Sequence, residues 1–121
     1  MLHVLQLEAD GAEPARRVIL GEFPLRIGRI PGNDLVLASP DVSRGHCTIV
    51  VEGGRAIVTD LGSTNGTQVN GERIAAPTPI EEGAQLRIGP FTLSYIRGPR
   101  RVLERAAEME RDLDRAARQH L

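Results

Sequence analysis

Lysine is missing from this 121-residue chain: all fifteen basic residues are arginine. A GC-rich genome accounts for that bias, although arginine also suits two-pronged contacts to phosphate better than lysine does. Tryptophan is missing too, and one tyrosine and two phenylalanines are the only aromatics. Any core must therefore be assembled from Val, Ile, Leu and Ala, and no row of aromatic faces exists on which bases could stack. The single cysteine, Cys47, excludes an internal disulfide. It lies in the apolar run Cys47-Thr48-Ile49-Val50-Val51 and reads as a buried structural thiol. Charge of one sign is also lacking. The net charge is −1, and residues 1–98 hold nine Arg against eleven Asp plus Glu. Bulk attraction to nucleic acid or an anionic membrane is thereby disfavoured, and any anion binding has to be local. No stretch approaches the roughly 18 apolar residues of a membrane helix, and Met1-Leu2-His3-Val4 does not open a secretory leader. The expected location is the cytoplasm, with neither membrane nor nucleic acid as a partner.

Residues 2 to 97 consist of short apolar segments punctuated by turn residues. Leu2 to Glu8 alternates in part and is broken by Asp10-Gly11-Ala12-Glu13-Pro14. Val18-Ile19-Leu20 and Leu25-Arg26-Ile27 flank a Gly21-Glu22-Phe23-Pro24 corner, and Leu35-Val36-Leu37 follows. Cys47 to Val51 and Ala56-Ile57-Val58 are joined through Gly53-Gly54. Thr67-Gln68-Val69 and Glu72-Arg73-Ile74 flank Asn70-Gly71, the strongest hairpin signal in the chain. Gln85 to Ile88 and Phe91 to Ile96 complete the series. Many short strands with Gly/Pro-rich turns and no helical period predict an all-β sandwich.

After Gly98-Pro99 the pattern changes. Residues 100–121 contain no Gly or Pro and are rich in Ala, Glu, Arg and Leu, which predicts an amphipathic C-terminal α-helix. Val102, Ala106, Met109, Leu113 and Ala116 recur at alternating spacings of four and three, as in a coiled-coil seam. The expected organisation is a β domain over 1–98 and a helix over 99–121 that links to a further domain or forms a weak homodimer.

Three loop clusters carry the polar chemistry: Gly28-Arg29 after one strand, Ser43-Arg44-Gly45-His46 before another, and Gly62-Ser63-Thr64-Asn65-Gly66-Thr67 between two more. Loops at one end of a sandwich commonly carry recognition residues. Together these offer guanidinium groups, hydroxyls, an amide and Gly-permitted turns, with no clustered carboxylates. That set suits holding a dianionic phosphate.

In this order, Gly-Arg, then Ser-Arg-x-His, then Gly-Ser-Thr-Asn-Gly-Thr and Asn-Gly, the sequence resembles the forkhead-associated (FHA) domain, as found in bacterial signalling proteins. The motifs span Gly28 to Gly71, and the strand pattern extends the likeness over about residues 2–97. The resemblance implies an FHA-like β-sandwich of about eleven strands that recognises phosphothreonine-containing protein segments in Ser/Thr kinase signalling, without cofactor, metal or catalysis. Position by position it implies phosphothreonine contacts from Arg29, Ser43, Arg44, Thr64 and Asn65. Gly28, His46, Gly66 and Asn70 would support the loops, and Asp41 would read a ligand side chain beyond the phosphothreonine.

Plainer readings stand beside these. Arg29 could be a surface arginine, Ser43 a turn cap, Asn65-Gly66 a turn, and Asp41 a brace for Ser39-Pro40. Ser43, His46 and Asp60 invite comparison with a hydrolase triad, but no Gly-x-Ser-x-Gly elbow, Walker loop or dinucleotide fingerprint is present. The other alternative is a structural or oligomerising module of a larger signalling protein, since residues 110–121 resemble the helix that precedes PP2C-type phosphatase domains.

Overall fold

Apolar side chains at every second position of the longer strands decide the architecture. In the computed structural model, which describes residues 1–8 and 15–99, eleven strands form two sheets. They are β1 (Leu2–Leu7), β2 (Arg16–Leu20), β3 (Leu25–Gly28), β4 (Leu35–Val36), β5 (Cys47–Glu52), β6 (Arg55–Asp60), β7 (Thr67–Val69), β8 (Glu72–Arg73), β9 (Thr78–Ile80), β10 (Gln85–Ile88) and β11 (Phe91–Gly98). One sheet runs β2-β1-β11-β10-β7-β8 and the other β4-β3-β5-β6-β9. All pairings are antiparallel except β3 with β4.

Along β11, Phe91, Leu93 and Tyr95 are buried while Thr92, Ser94 and Ile96 between them are less so. Successive side chains of a strand point to opposite faces, so this period of two aims one set into the space between the sheets. There they meet Leu5, Leu7, Leu86 and Ile88 of the same sheet and Ile27, Ile49, Ala56 and Val58 of the other. Tyr95 and Phe91 are buried, so two of the three aromatics serve the core. The tyrosine keeps its hydroxyl satisfied by His3 Nδ1 at 2.5 Å.

The turns follow the glycines. Asn70 and Gly71 both have positive φ (51° and 86°), as do Gly53 and Gly54 (57° and 77°). Paired left-handed residues of this kind match the twist of a two-residue hairpin. One strand is not anticipated by the sequence pattern. β9 contains Pro79 at its centre, which removes a ladder donor, but β9 is an edge strand paired only with β6, where proline is tolerated.

The expected combination of an all-β sandwich with a C-terminal α-helix is corrected to an all-β sandwich. No helix occurs among the described residues. β11 runs through to Gly98, whose partner is Leu2, and Pro99 then supplies no N–H to extend the ladder. The helix and dimer seam expected over 99–121 fall on residues 100–121, outside the described residues.

Chain direction fixes where the loops go. β3 and β4 end, and β5 begins, at one end of the sandwich. β6 runs back to that end and β7 leaves from it. The β3–β4, β4–β5 and β6–β7 loops are therefore neighbours, although their residues are up to about forty positions apart in sequence.

Cys47 is fully buried at the start of β5, and burial pushes its thiol pKa up to about 12. Because the thiolate is the reactive form, native protein at pH 8 should resist thiol-specific reagents and label promptly only in denaturant. Rapid stoichiometric labelling without denaturant would contradict this packing of β5.

Candidate functional site

His46 has no exposed surface, yet both ring nitrogens are satisfied. Its Nδ1 accepts from the Ser43 backbone N–H at 3.1 Å, so Nε2 carries the proton and donates to the Gly66 carbonyl at 2.9 Å. Its own backbone N–H donates to Ile27 O at 2.8 Å and its carbonyl accepts from Leu61 N at 2.9 Å. One buried residue thus joins β3, the β4–β5 loop and both ends of the β6–β7 loop. Buried polar groups this fully paired fix one arrangement, since breaking any bond strands a partner.

Direct bonds between the loops add to this frame. The Ser43 Oγ accepts from Thr64 N at 3.1 Å, and Asn65 Nδ2 donates to Asp41 O at 2.9 Å. Arg29 N donates to Ser43 O, and Arg29 Nε donates to Val42 O, each at 3.0 Å. Asn33 Nδ2 donates to both Ile30 O and Arg44 O at 2.8 Å. A side chain at Gly28 would collide with that same Arg44 carbonyl and with the Asn33 amide, so only glycine permits the approach. At the foot of the β3–β4 loop, Asp34 Oδ2 accepts from Arg26 N at 2.8 Å, and Asp34 N returns a bond to Arg26 O at 2.9 Å.

The result is an open groove of about 410 Å³ lined by Arg29, Pro40, Asp41, Ser43, Arg44, Gly45, Thr64 and Asn65. Five sequence-predicted contact residues (Arg29, Ser43, Arg44, Thr64 and Asn65) share it with Asp41. Their polar atoms are disposed to donate. Arg29 commits only Nε to the protein, and its two terminal nitrogens have no protein partner among the described residues. The Ser43 hydroxyl already accepts one hydrogen bond, which leaves its hydrogen to point elsewhere. Asn65 keeps its amide oxygen and one N–H.

Not every predicted residue is here. Gly66 is not among the groove-lining residues; its φ of 83° is a left-handed conformation that favours glycine, and the Arg73 side chain packs over it. Asn70 sits at the other end of the sandwich, where its Oδ1 accepts from Gln85 N at 2.9 Å and braces the β7–β8 turn against β10. Conversely, the sequence marks Asp60 only as a triad candidate and gives no signal at Asn33. The loop-spanning role of Asn33 depends on its reach across to Arg44, which spacing does not show.

Asp60 organises the β6–β7 loop. Its Oδ2 accepts from Gly62 N and Ser63 N at 3.0 Å, and its Oδ1 from Ser63 Oγ at 2.5 Å and Thr67 Oγ1 at 2.7 Å. Burial alone would raise its pKa, but the bonds from Ser63, Thr67 and Gly62 outweigh it and hold the carboxyl below the usual range. No triad exists: Asp60 bonds its own loop, and the His46 nitrogens bond Ser43 N and Gly66 O.

Residues 25–89 match the family model for the FHA domain. The glycogen accumulation regulator GarA of Mycolicibacterium smegmatis is 36% identical over 90 residues, which cover 74% of this chain and 56% of that protein. The solved structure of Mycobacterium tuberculosis EmbR in complex with a low-affinity phosphopeptide aligns with a TM-score of 0.65 at 32% identity, over 77% of this chain and 24% of that one. The FHA domain of the CT664 protein from Chlamydia trachomatis shares the fold, with a TM-score of 0.76 at 24% identity over 82% of this chain and all of the other. The match to the curated regulator thus spans about half of its length.

Replacing Asp60 with alanine would strand the hydroxyls of Ser63 and Thr67, which are almost wholly buried. Asp60→Ala should therefore cost about 1–3 kcal/mol in urea unfolding. Because the folded-state pKa is depressed, the contribution of Asp60 is present above the ordinary carboxyl pKa of 3.8 and is lost as pH falls through the lower folded value. Wild type should consequently lose more stability than Asp60→Asn on acidification below that point. Equal acid sensitivity would contradict the assignment.

Proposed function

The chain belongs to the FHA domain family, and on that footing we propose that it binds phosphothreonine-containing protein segments in the groove between the β4–β5 and β6–β7 loops. The observation that carries this proposal is the convergence of unused donors: two Arg29 nitrogens, the Arg44 guanidinium, and the Ser43 and Thr64 hydroxyls all border one groove. A phosphate dianion offers only acceptors, so every one of these groups finds a complement. Arg29 and Ser43 hold the phosphate directly, Thr64 and Arg44 add to it, and Asn65 pairs with the ligand backbone. The contact of Asn65 with Asp41 O presets its amide plane, which lowers the ordering cost on binding.

The module acts by recognition rather than catalysis. Ser43 has no adjacent base, because the ring of His46 is spent on two backbone groups. A nucleophile needs such a base within hydrogen-bond reach. The partner is a protein marked by a Ser/Thr kinase, and the setting is the cytoplasm. Among the described residues no helix is long and apolar enough to cross a membrane.

Calorimetry with matched peptides tests the proposal. A phosphothreonine peptide should bind with micromolar affinity, about −8 kcal/mol, and its unphosphorylated form negligibly. Arg29→Ala should weaken binding by roughly 2–4 kcal/mol, since it removes charge-assisted contacts to a dianion. Unchanged affinity in a folded Arg29→Ala protein would remove the groove as the site. Phosphothreonine should also be preferred over phosphoserine by about tenfold, from roughly 1 kcal/mol per buried methyl plus a restricted rotamer. Equal affinities would contradict a pocket for that methyl.

A further inference from the structure

Five large apolar side chains are exposed among the described residues. Met1 precedes β1, Ile19 lies on β2 and Phe23 in the β2–β3 corner, while Ile30 lies near the start of the β3–β4 loop and Leu61 begins the β6–β7 loop. Leu61 is 52% exposed and Ile30 41%. A single exposed leucine is ordinary. Two at one end of a binding groove, each tied to the segment that lines it, are a different observation.

The ties are explicit. Leu61 N donates to His46 O at 2.9 Å, and its Cδ1 stands 3.9 Å from where a Gly45 side chain would begin. The carbonyl of Ile30 and that of Arg44 share the Asn33 amide, each at 2.8 Å. The Ile30 backbone, through Asn33, and the Leu61 side chain therefore stand next to Arg44-Gly45, from the two loops on either side.

The lining segment from Pro40 to Gly45 gives the groove a direction. At one end stands Asp41, an exposed residue whose backbone carbonyl accepts from Asn65 Nδ2. Ser43 follows, joined to Thr64 and next to Arg29. Arg44-Gly45 is the other end, where the apolar pair lies. A peptide laid along this groove with its phosphate at Ser43 and Arg29 would meet a carboxylate on one side and apolar surface on the other.

We propose that Ile30 and Leu61 form an apolar shelf that selects a Leu, Ile, Val or Met side chain of the phosphopeptide, on the side of the phosphothreonine opposite to the one that meets Asp41. This rests on the function proposed above and adds to it a class of ligand: a segment apolar on one flank and free of acidic residues on the other. Docking the apolar side chain covers surface that Leu61 and Ile30 otherwise leave in water, which is the term that discriminates it from a polar one.

An oriented phosphothreonine peptide library bound to the full chain tests the shelf, with Leu61→Ser, Ile30→Ser and the conservative Leu61→Met compared. Wild type should enrich apolar residues on one flank and exclude Asp and Glu on the other. The two serine variants should lose about five- to tenfold of affinity for the apolar-flanked peptide. They should bind a polar-flanked phosphopeptide as wild type does, which shows that they are folded with the phosphate site intact. Leu61→Met should retain the apolar preference. Phosphate-dependent binding with no apolar enrichment, or enrichment that survives both serine substitutions, would overturn the shelf and leave the phosphothreonine reading standing. Loss of all phosphopeptide binding by wild type would overturn both.

Discussion

One imidazole holds the loops at one end of this sandwich together. His46 is buried without surface, accepts a backbone proton from Ser43, and donates its own to Gly66 across twenty residues of sequence. Neither loop has regular secondary structure to hold it, so the geometry of the groove depends on such fixed cross-bonds. The same pairing determines the tautomer, and with it the role: a ring with both nitrogens engaged is a strut and not a base. Around it many of the remaining loop contacts run from side-chain amides and carboxylates to backbone groups that no strand partner reaches. Asn33, Asp60 and Asn65 each do this, and they do it at the places where two loops meet or one turns sharply.

The division of labour between strands and loops follows from the same physics. Strands satisfy their backbone by pairing and aim alternate side chains into the core, which leaves their polar side chains little to do. Loops must find other partners for their N–H and C=O groups, and buried unpaired groups are costly. The loops here meet that requirement internally. The donors left over on Arg29, Arg44, Ser43 and Thr64 border the groove without a partner in the loops, as the proposed phosphate contacts require.

Much of this was legible in the sequence, for identifiable reasons. Partial alternation in Leu2 to Glu8 and the Asn70-Gly71 turn announced β-structure because period and turn chemistry are local properties. The β9 strand was not legible, because Thr78-Pro79-Ile80 carries a breaker that only an edge position excuses. The three loop clusters could be grouped as one site from their ordered motifs, and the structure brings Arg29, Ser43, Arg44, Thr64 and Asn65 to a single groove. Asn33 and Asp60 escaped as loop braces because their partners are set by chain path and not by spacing. Asn70 shows the reverse error of proximity in sequence: it lies a few residues from Asn65, yet β7 carries it to the far end of the sandwich.

The most direct measurement of the central claim is a nitrogen-15 amide titration of the full chain with a phosphothreonine peptide. Backbone amides of Arg29, Ser43, Arg44, Thr64 and Asn65 should shift strongly and together, saturating with one affinity. Amides around Asn70, Glu81 and Glu82 at the opposite end should stay in place. Shifts concentrated at that opposite end, or equal shifts with the unphosphorylated peptide, would contradict phosphothreonine recognition by the groove that His46 builds.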